Sequence, residues 1–230
     1  MIHFVFESLA YSAGFWWYLR ERRRSGDVIN THARWWVVAA AIGGAAIGSR
    51  LLFLLEDPAE TAAHWRDVTF LLSGKTVVGA FAGGLVAVEL VKRLIGVREP
   101  TGDLFAVPLA LGIAIGRIGC FLSGLNDHTY GLATTLPWGV DFGDGVRRHP
   151  TQLYESLFAL LLAVALSALA RRPHRQGDVF KMFLGSYMAF RLVIDGLKPG
   201  VALAFGLTAI QWTALAVIVF YACYFIKRMR

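Results

Sequence analysis

The chain has 230 residues, of which 56% are hydrophobic, and it carries a formal net charge of +7. A soluble domain of this size rarely contains so much apolar sequence, so the composition argues against an ordinary soluble fold and favours membrane helices. The positive charge is concentrated in short loops between apolar segments, which is typical of a membrane protein and indicates no nucleic-acid partner.

Seven apolar segments are each long enough, at about 20 residues, to cross a hydrocarbon core of about 30 Å. A membrane-spanning β-barrel would need strict alternation, and runs such as AFAGGLVAVELV do not alternate. The sequence therefore predicts an all-α, polytopic membrane protein in which residues 1–230 form a single transmembrane domain. In chain order, the segments are expected near 2–19, 35–55, 76–95, 103–123, 150–170, 179–197 and 206–226.

Basic residues follow the first, third, fifth and seventh segments, whereas the loops between them hold the acidic or mixed stretches EDPAE, NDHTYG and VDFGDG. By the positive-inside rule, the N-terminus is expected outside and the C-terminus in the cytoplasm. The first segment is expected to be a retained signal-anchor. The basic residues are Arg20, Arg22, Arg23, Arg24, Lys92, Arg93, Arg98, Arg171, Arg172, Arg175, Lys227, Arg228 and Arg230.

The longest connection joins the fourth and fifth segments, at about residues 125–149. It holds two of the six histidines, His128 and His149, together with Pro-Trp-Gly and Gly-Asp-Gly turns. Loops of this length are usually functional or disordered, and the turn chemistry favours an ordered loop on the periplasmic side.

Several ionisable residues are predicted in the outer half of the helix bundle: Arg50, Arg117, Tyr154, Glu155, Arg191, Asp195 and Lys198. An intramembrane charge costs on the order of 3 kcal/mol and needs a partner. Arg191 and Asp195 share a helix face with Tyr187. One interpretation is an internal salt bridge that joins helices. The other is a lipid-phosphate site, because the arginines outnumber the carboxylates and a guanidinium binds phosphate well.

The stretches IGGAAIG and GAFAGG are small-residue faces suited to close helix packing. Gly116, Gly119 and Gly124 would also let a ligand or a neighbouring backbone approach Arg117. The two cysteines, Cys120 and Cys223, show neither a disulfide framework nor zinc-ligand spacing, and no cofactor or metal is expected. Cys120 is either a nucleophile or an inert packing residue.

The run GRIGCFLSG, followed by YG, LPWGV and RHPTQLYE, resembles the signature region of bacterial prolipoprotein diacylglyceryl transferases, which is approximately GRIGNFINGE, YG, LPWGV and RHPSQLYE. The C-terminal series of Tyr187, Arg191, Asp195 and Lys198-Pro199 is similar to the family's Tyr, Arg, Glu and Arg-Pro at identical spacing. Tyr11 and Arg50 also match family positions. The resemblance spans nearly the whole chain.

The resemblance implies a transferase that moves diacylglyceryl from phosphatidylglycerol to the cysteine of a precursor lipoprotein, on the outer leaflet of the bacterial inner membrane. The products would be a thioether and glycerol phosphate. Arg117 and Arg191 would bind and polarise the phosphate, and Glu155 would act with them. The expected substrate-binding residues are Tyr11, Arg50, Ser123, Gly124, Tyr130, Arg148, His149, Gln152, Tyr154, Tyr187, Asp195 and Lys198.

The sequence also departs from the family pattern. A family histidine proposed as a base is replaced near Val78, and Cys120, Ser123 and Leu125 replace two asparagines and a glutamate. A thiol must be deprotonated to react, and His128 is the candidate substitute base, with a solvated loop residue as the alternative. His149 has either a structural or a functional role.

These departures leave three hypotheses open. The chain is a transferase whose acceptor is a cysteine or a different group, a lipid-binding transporter, or a catalytically inactive lipid-binding homologue. Transporters often show inverted repeats, and none is found in the sequence.

Overall fold

The computed structural model describes residues 2–229, with all their side chains except those of residues 225 and 227–229. The basic residues expected after the last segment, Lys227, Arg228 and Arg230, therefore lie outside the described side chains. The described chain is predominantly helical. Its helices are α1 (Ile2–Ser25), α2 (Thr31–Glu56), α3 (Pro58–Ala63), α4 (Val68–Ser73), α5 (Val77–Leu94), α6 (Asp103–Ser123), α7 (Thr151–Leu169), α8 (Asp178–Ile194) and α9 (Ala209–Met229).

The helix starts follow local capping chemistry. The side chain of Asn30 accepts a hydrogen bond from the Ala33 amide at 2.8 Å and begins α2. The Thr76 hydroxyl accepts from the Gly79 amide at 3.1 Å and begins α5. Each side chain satisfies one of the amides that the first helical turn leaves without a partner. The predicted segments match the long helices, whereas α3 and α4 were not predicted.

Three helical stretches within the described chain are long and apolar enough to cross a membrane: Thr31–Glu56, Asp103–Asp127 and Thr151–Leu169. Ala209–Tyr224 is a shorter apolar helix. Many large apolar side chains are exposed on the outside, among them Trp35, Leu94 and Leu161. Lipid tails can cover such side chains and water cannot do so without cost, so the chain is a membrane protein.

The chain divides into two compact units. The first comprises the chain up to Asp27 together with Pro100–Pro199, and it contains α1, α6, α7 and α8. In this unit, α6 packs against α1, α7 and α8. The Asp103 carboxylate, at the start of α6, accepts hydrogen bonds from the amides of Gly177 and Phe180 at 2.6 and 2.9 Å. The starts of α6 and α8 therefore lie at the same end of the unit.

The second unit comprises Val28–Glu99 and the chain from Gly200, and α2 packs closely against α5 within it. A Cβ atom added to Gly48 would lie 2.7 Å from the Gly83 Cα, well inside van der Waals contact. Added Cβ atoms at Gly44 and Gly79 would also collide with the facing helix. The small-residue faces thus bring two backbones together, which confirms the packing interpretation of both glycine stretches.

The connection between α6 and α7 begins with a 3₁₀ turn, Gly124–Asp127, and contains a short antiparallel hairpin formed by β1 (Val140–Asp141) and β2 (Arg147–Arg148). The Asp141 side chain accepts hydrogen bonds from the amides of Gly143, Asp144 and Gly145 and closes the hairpin turn. The backbone amide of Leu132 donates to the carbonyl of Leu197 at 2.7 Å, which attaches this connection to the segment after α8.

Candidate functional site

Glu155, on α7, is the centre of a buried charge cluster in the first unit. Its side chain is fully buried. Its Oε2 lies 3.0 Å from Arg117 Nε on α6 and 3.5 Å from Lys198 Nζ after α8. Its Oε1 accepts a 2.5 Å hydrogen bond from the Tyr187 hydroxyl on α8. One carboxylate therefore joins groups from three parts of the unit.

Arg191, on α8, makes a bidentate pair with Asp195 one turn later. Its Nε donates to Oδ2 at 2.9 Å and its Nη2 to Oδ1 at 2.8 Å. The third nitrogen, Nη1, lies 3.4 Å from the Tyr187 hydroxyl and 3.9 Å from Glu155 Oε1. The internal salt bridge predicted from the four-residue spacing is therefore present, and its geometry fixes the plane of the guanidinium.

The neighbouring helices hold this cluster in place through contacts beside it. The Ser156 hydroxyl donates to the Ala114 carbonyl at 2.7 Å and ties α7 to α6 one turn before Arg117. The rings of Phe158 and Phe190 stack with centroids 4.3 Å apart and join α7 to α8. Because packed helices allow little movement, the charged groups are pre-positioned.

The cluster contains one more cation than it contains anions. Arg117, Arg191 and Lys198 supply three positive charges, whereas Glu155 and Asp195 supply two negative ones. All five side chains are shielded from water, since none is more than 13% exposed. A net positive charge in a low-dielectric site attracts an anion strongly.

Gln152 lies one turn before Glu155 on α7 and is also fully buried. Neither its amide nitrogen nor its amide oxygen has a hydrogen-bond partner within the described part of the chain. A buried amide without partners is costly, so both polar atoms of Gln152 are available to a bound ligand. The substrate-binding role expected of Gln152 from the sequence stays a prediction.

Arg117 also contacts a second group of residues at the end of α6. Its Nη1 lies 3.9 Å from the Cys120 sulfur, which lies 3.8 Å from His3 Nε2 on α1. His3 Nε2 is 3.4 Å from Asp127 Oδ1. The metal-ligand types His3, Cys120 and Asp127 thus offer donor atoms that all lie within 4.8 Å of one another.

His128 lies in the same connection but is exposed, with a left-handed backbone of φ 53° that caps the 3₁₀ turn. No hydrogen bond or ion pair within the described chain joins its ring to the charge cluster. His3 is the histidine that contacts the residues around Arg117, and the sequence analysis did not identify it. Its spacing of four residues from Glu7, near the start of α1, was the available signal.

The hairpin residues form a separate polar group. Arg148 makes two 2.7 Å hydrogen bonds to the Asp144 carboxylate, and its guanidinium lies 5.0 Å from the centre of the Tyr130 ring. The hydrogen bond from Arg148 lowers the pKa of Asp144, and the same bond raises the pKa of Arg148. Arg148 and Tyr130 are thus brought together, apart from the hydrogen-bonded cluster around Glu155.

His149 joins the connection to the start of α7. Its backbone pairs with Gly131 and Leu132, and its Nδ1 lies 3.4 Å from the Tyr154 hydroxyl. That hydroxyl accepts a 2.8 Å hydrogen bond from the Trp138 indole, a partner that the sequence analysis missed. A Cβ atom at Gly131 would lie 2.7 Å from the His149 Cβ, which explains the glycine after Tyr130.

The remaining expected site residues make local contacts. The Ser123 hydroxyl donates to the Gly119 carbonyl within α6, and Gly124 ends that helix with φ 61°. Tyr11 is 75% exposed on α1. Arg50 belongs to the second unit, where its guanidinium donates to the Leu72 carbonyl.

The sequence of this chain is similar to that of known proteins. The family model described as prolipoprotein diacylglyceryl transferase matches residues 5–227. The chain belongs to the prolipoprotein diacylglyceryl transferase family. Its similarity to individual members, each named phosphatidylglycerol–prolipoprotein diacylglyceryl transferase, is spread over most of the chain. The protein of Bordetella bronchiseptica is 33% identical over 76% of this chain and 70% of its own length. The protein of Nitratidesulfovibrio vulgaris is 30% identical over 93% of this chain and 84% of its own length. The protein of Trichormus variabilis is 33% identical over 79% of this chain and 68% of its own length.

The resemblance carried by GRIG, YG, LPWGV and RHPTQLYE is thereby confirmed, and the chain is a member of a transferase family. The departures from the family pattern stay predictions. Val78 is completely buried near the start of α5 in the second unit. Its aliphatic side chain has no group that accepts or donates a proton, so it cannot serve as a base.

Proposed function

We propose that this protein transfers diacylglyceryl from phosphatidylglycerol to the cysteine thiol of a prolipoprotein. Membership of the prolipoprotein diacylglyceryl transferase family supports the reaction class. The observation that carries the proposal in this chain is the buried cluster around Glu155, with its one surplus positive charge. A phosphodiester is the anion that such a cluster suits, because guanidinium groups match phosphate oxygens in geometry and charge.

Arg117 and Arg191 take different parts in this proposal. Arg191 uses two nitrogens on Asp195 and points the third towards Tyr187 and Glu155, so it positions the cluster. Arg117 uses Nε on Glu155 and forms no hydrogen bond from its terminal nitrogens to a described carboxylate. Those nitrogens bind the lipid phosphate. Gln152 supplies a further donor from the next turn of α7.

The arginines stabilise the leaving group. The acceptor thiolate attacks the glyceryl carbon, a carbon–sulfur bond forms, and the carbon–oxygen bond to phosphate breaks. The electron pair goes to the phosphate oxygen of the departing glycerol phosphate, next to Arg117. Fixed positive charge stabilises this transition state because it needs no reorganisation during the reaction.

The proposal includes the membrane arrangement. The seven long helices cross the bacterial inner membrane as a single domain, with the N-terminus outside and residues 125–149 forming an ordered periplasmic loop. Within the first unit, His3 lies beside Asp127, so the start of α1 and the end of α6 share one end. This pairing supports opposite directions for α1 and α6, which is what the first and fourth of seven successive membrane crossings require.

A different acceptor is the second candidate, and the replacements at Val78, Cys120 and Leu125 favour it. The decisive experiment incubates purified protein with labelled phosphatidylglycerol and a lipobox peptide, then identifies products by mass spectrometry. We expect a peptide that carries diacylglyceryl on its cysteine, together with glycerol phosphate. Transfer to an amine or hydroxyl acceptor but not to the thiol would replace the first proposal with the second. Release of no glycerol phosphate with any acceptor would reject both.

A further inference from the structure

Three potential metal ligands meet at the end of α6, next to Arg117. His3 Nε2, from α1, lies 3.4 Å from Asp127 Oδ1 and 3.8 Å from the Cys120 sulfur. All three donor atoms lie within 4.8 Å of one another. Zinc spacing is absent from the sequence because the cysteine is 117 residues from the histidine, so only the packing of α1 on α6 unites them.

Two of the three distances between the donor atoms are close to those around a tetrahedral zinc ion. Zinc bonds of about 2.1 Å to nitrogen or oxygen and about 2.3 Å to sulfur place neighbouring ligand atoms roughly 3.4–3.6 Å apart. The histidine–aspartate distance already has this value, and the histidine–cysteine distance exceeds it by a few tenths of an ångström. We propose that His3, Cys120 and Asp127 bind a zinc-class divalent ion.

A neighbouring hydroxyl orients one of the three ligands, and a carboxylate lies near a second. Glu7 Oε1 is 3.7 Å from His3 Nδ1, which is longer than a hydrogen bond but allows an electrostatic attraction to the ring. The Thr129 hydroxyl donates to Asp127 Oδ2, which leaves Oδ1 for the ion. Such outer partners are a regular feature of metal sites, since they fix the tautomer of the histidine and the direction of the carboxylate.

Charge and access also favour an ion at this position. A cysteine thiolate and the Asp127 carboxylate would together balance two positive charges. The His3 side chain is 42% exposed, which provides a path of entry. The alternative explanation is a histidine–aspartate ion pair without a metal. That ion pair would not need Cys120, whereas a metal site would use its sulfur.

Three protein ligands leave the fourth tetrahedral position open, as in catalytic zinc sites. The role of this open position rests on the proposed function: it binds the acceptor thiol. The metal binds the sulfur, the thiol proton passes to solvent, and the resulting thiolate attacks the glyceryl carbon as described above. The ion would thereby supply the thiol activation that Val78 cannot supply.

Cobalt titration of the purified full chain in detergent tests the site without an activity measurement. We expect one Co²⁺ per chain, with the intense visible bands of tetrahedral cobalt and a sulfur-to-cobalt charge-transfer band. Cys120→Ser should remove the charge-transfer band, and His3→Ala or Asp127→Asn should weaken Co²⁺ binding at least tenfold. Cys223→Ser and His64→Ala, at exposed positions, should bind as the unaltered chain does. Absence of stoichiometric binding, or an unchanged band in Cys120→Ser, would overturn the site.

Adding N-acetylcysteine methyl ester to the cobalt form tests the open position. A stronger charge-transfer band that saturates at one thiol per metal would support acceptor binding, and an unchanged spectrum would overturn that step alone. Transfer from labelled phosphatidylglycerol is measured on the same zinc-loaded preparation. A normal cobalt spectrum without any transfer would reject the proposed function and leave the metal site standing.

Discussion

Glu155 Oε2 lies 3.0 Å from Arg117 Nε, and this pair connects α7 to α6 in the interior of the first unit. The arginine within the apolar run GRIGCFLSG therefore has a protein partner. Glu155 also faces Lys198 and Arg191, so it does not neutralise Arg117 alone. A carboxylate shared among three cations holds the cluster together and leaves it with a net positive charge.

The first prediction concerns the removal of this carboxylate. Glu155→Gln keeps the shape of the side chain but leaves Arg117, Arg191 and Lys198 with Asp195 as their remaining carboxylate partner in the cluster. Breaking a buried ion pair by removing one partner costs about 3–5 kcal/mol, so we expect a clear fall in the melting temperature of the protein in detergent. Asp144→Asn, which breaks an exposed pair with Arg148, is the control and should change the melting temperature little. Equal melting temperatures for the two variants would contradict a central role for Glu155.

The second prediction separates charge from geometry. Arg117→Lys and Arg191→Lys preserve the charge of the cluster but remove the planar fork of donors. Losing one hydrogen bond to a charged group costs about 1.5–3 kcal/mol, so transfer from labelled phosphatidylglycerol should fall roughly tenfold to a hundredfold. Arg93→Lys, at an exposed position of α5, should retain full activity. Wild-type rates in Arg117→Lys would show that a point charge is sufficient there.

The third prediction concerns the contact between α2 and α5. Gly48→Ala would place a Cβ atom 2.7 Å from the Gly83 Cα, and neither backbone can yield easily. Overpacking of this kind typically costs about 1–3 kcal/mol, which should lower the melting temperature. Gly43→Ala, on the same helix, meets open space and should be neutral or slightly stabilising, because alanine favours helix formation. The same response from both variants would exclude close packing as the reason for Gly48.

Much of the fold could be predicted from the sequence because long apolar segments form long helices, three of which are long and apolar enough to cross a membrane. The segment predicted at 103–123 coincides with α6, and the other six lie close to long helices. Helices α3 and α4 were not predicted, since six-residue helices with capping aspartates, Asp57 and Asp67, show no long apolar pattern. The hairpin within the α6–α7 connection was missed for the same reason, because its two-residue strands carry no alternation.

The site was predictable only where its residues are close in sequence or match the family motif. The four-residue spacing of Arg191 and Asp195 predicts their pairing. The association of His3 with Cys120 depends on how α1 packs against α6, and no sequence spacing contains that information. His128 is a candidate base from the sequence, with a solvated loop residue as the alternative, and the folded loop leaves it exposed.

The fourth prediction tests the orientation in the membrane. Reporter fusions after Arg24, Arg98 and Arg175 should report the cytoplasm, since basic loops are retained there, and a fusion within residues 126–145 should report the periplasm. Alkaline phosphatase and green fluorescent protein, which are active on opposite sides, serve as each other's controls. A reversed result at two or more of these positions would reject the arrangement of seven crossings.

The fifth prediction concerns the efficiency of the proposed reaction in a cell. A bacterium depleted of its own diacylglyceryl transferase depends on thioether formation for growth. We expect this protein to rescue growth poorly rather than fully, because Arg117 and Gln152 would bind the donor while Val78 contributes no base, so that thiol activation would depend on the residues beside Arg117. Binding of phosphatidylglycerol to the purified protein should remain measurable, and immunoblots of the membrane fraction should show normal amounts of the protein.

The rescue experiment also distinguishes the candidate activators of the thiol. Residual growth that disappears with Cys120→Ser and His3→Ala but survives His128→Ala would assign thiol activation to the residues beside Arg117. The reverse pattern would assign it to the loop histidine, which is exposed and can reach an incoming peptide. Full rescue, equal to that by the host enzyme, would show that the family histidine is dispensable for the reaction, because a chain with valine at that position would then supply all the thiolate that growth requires.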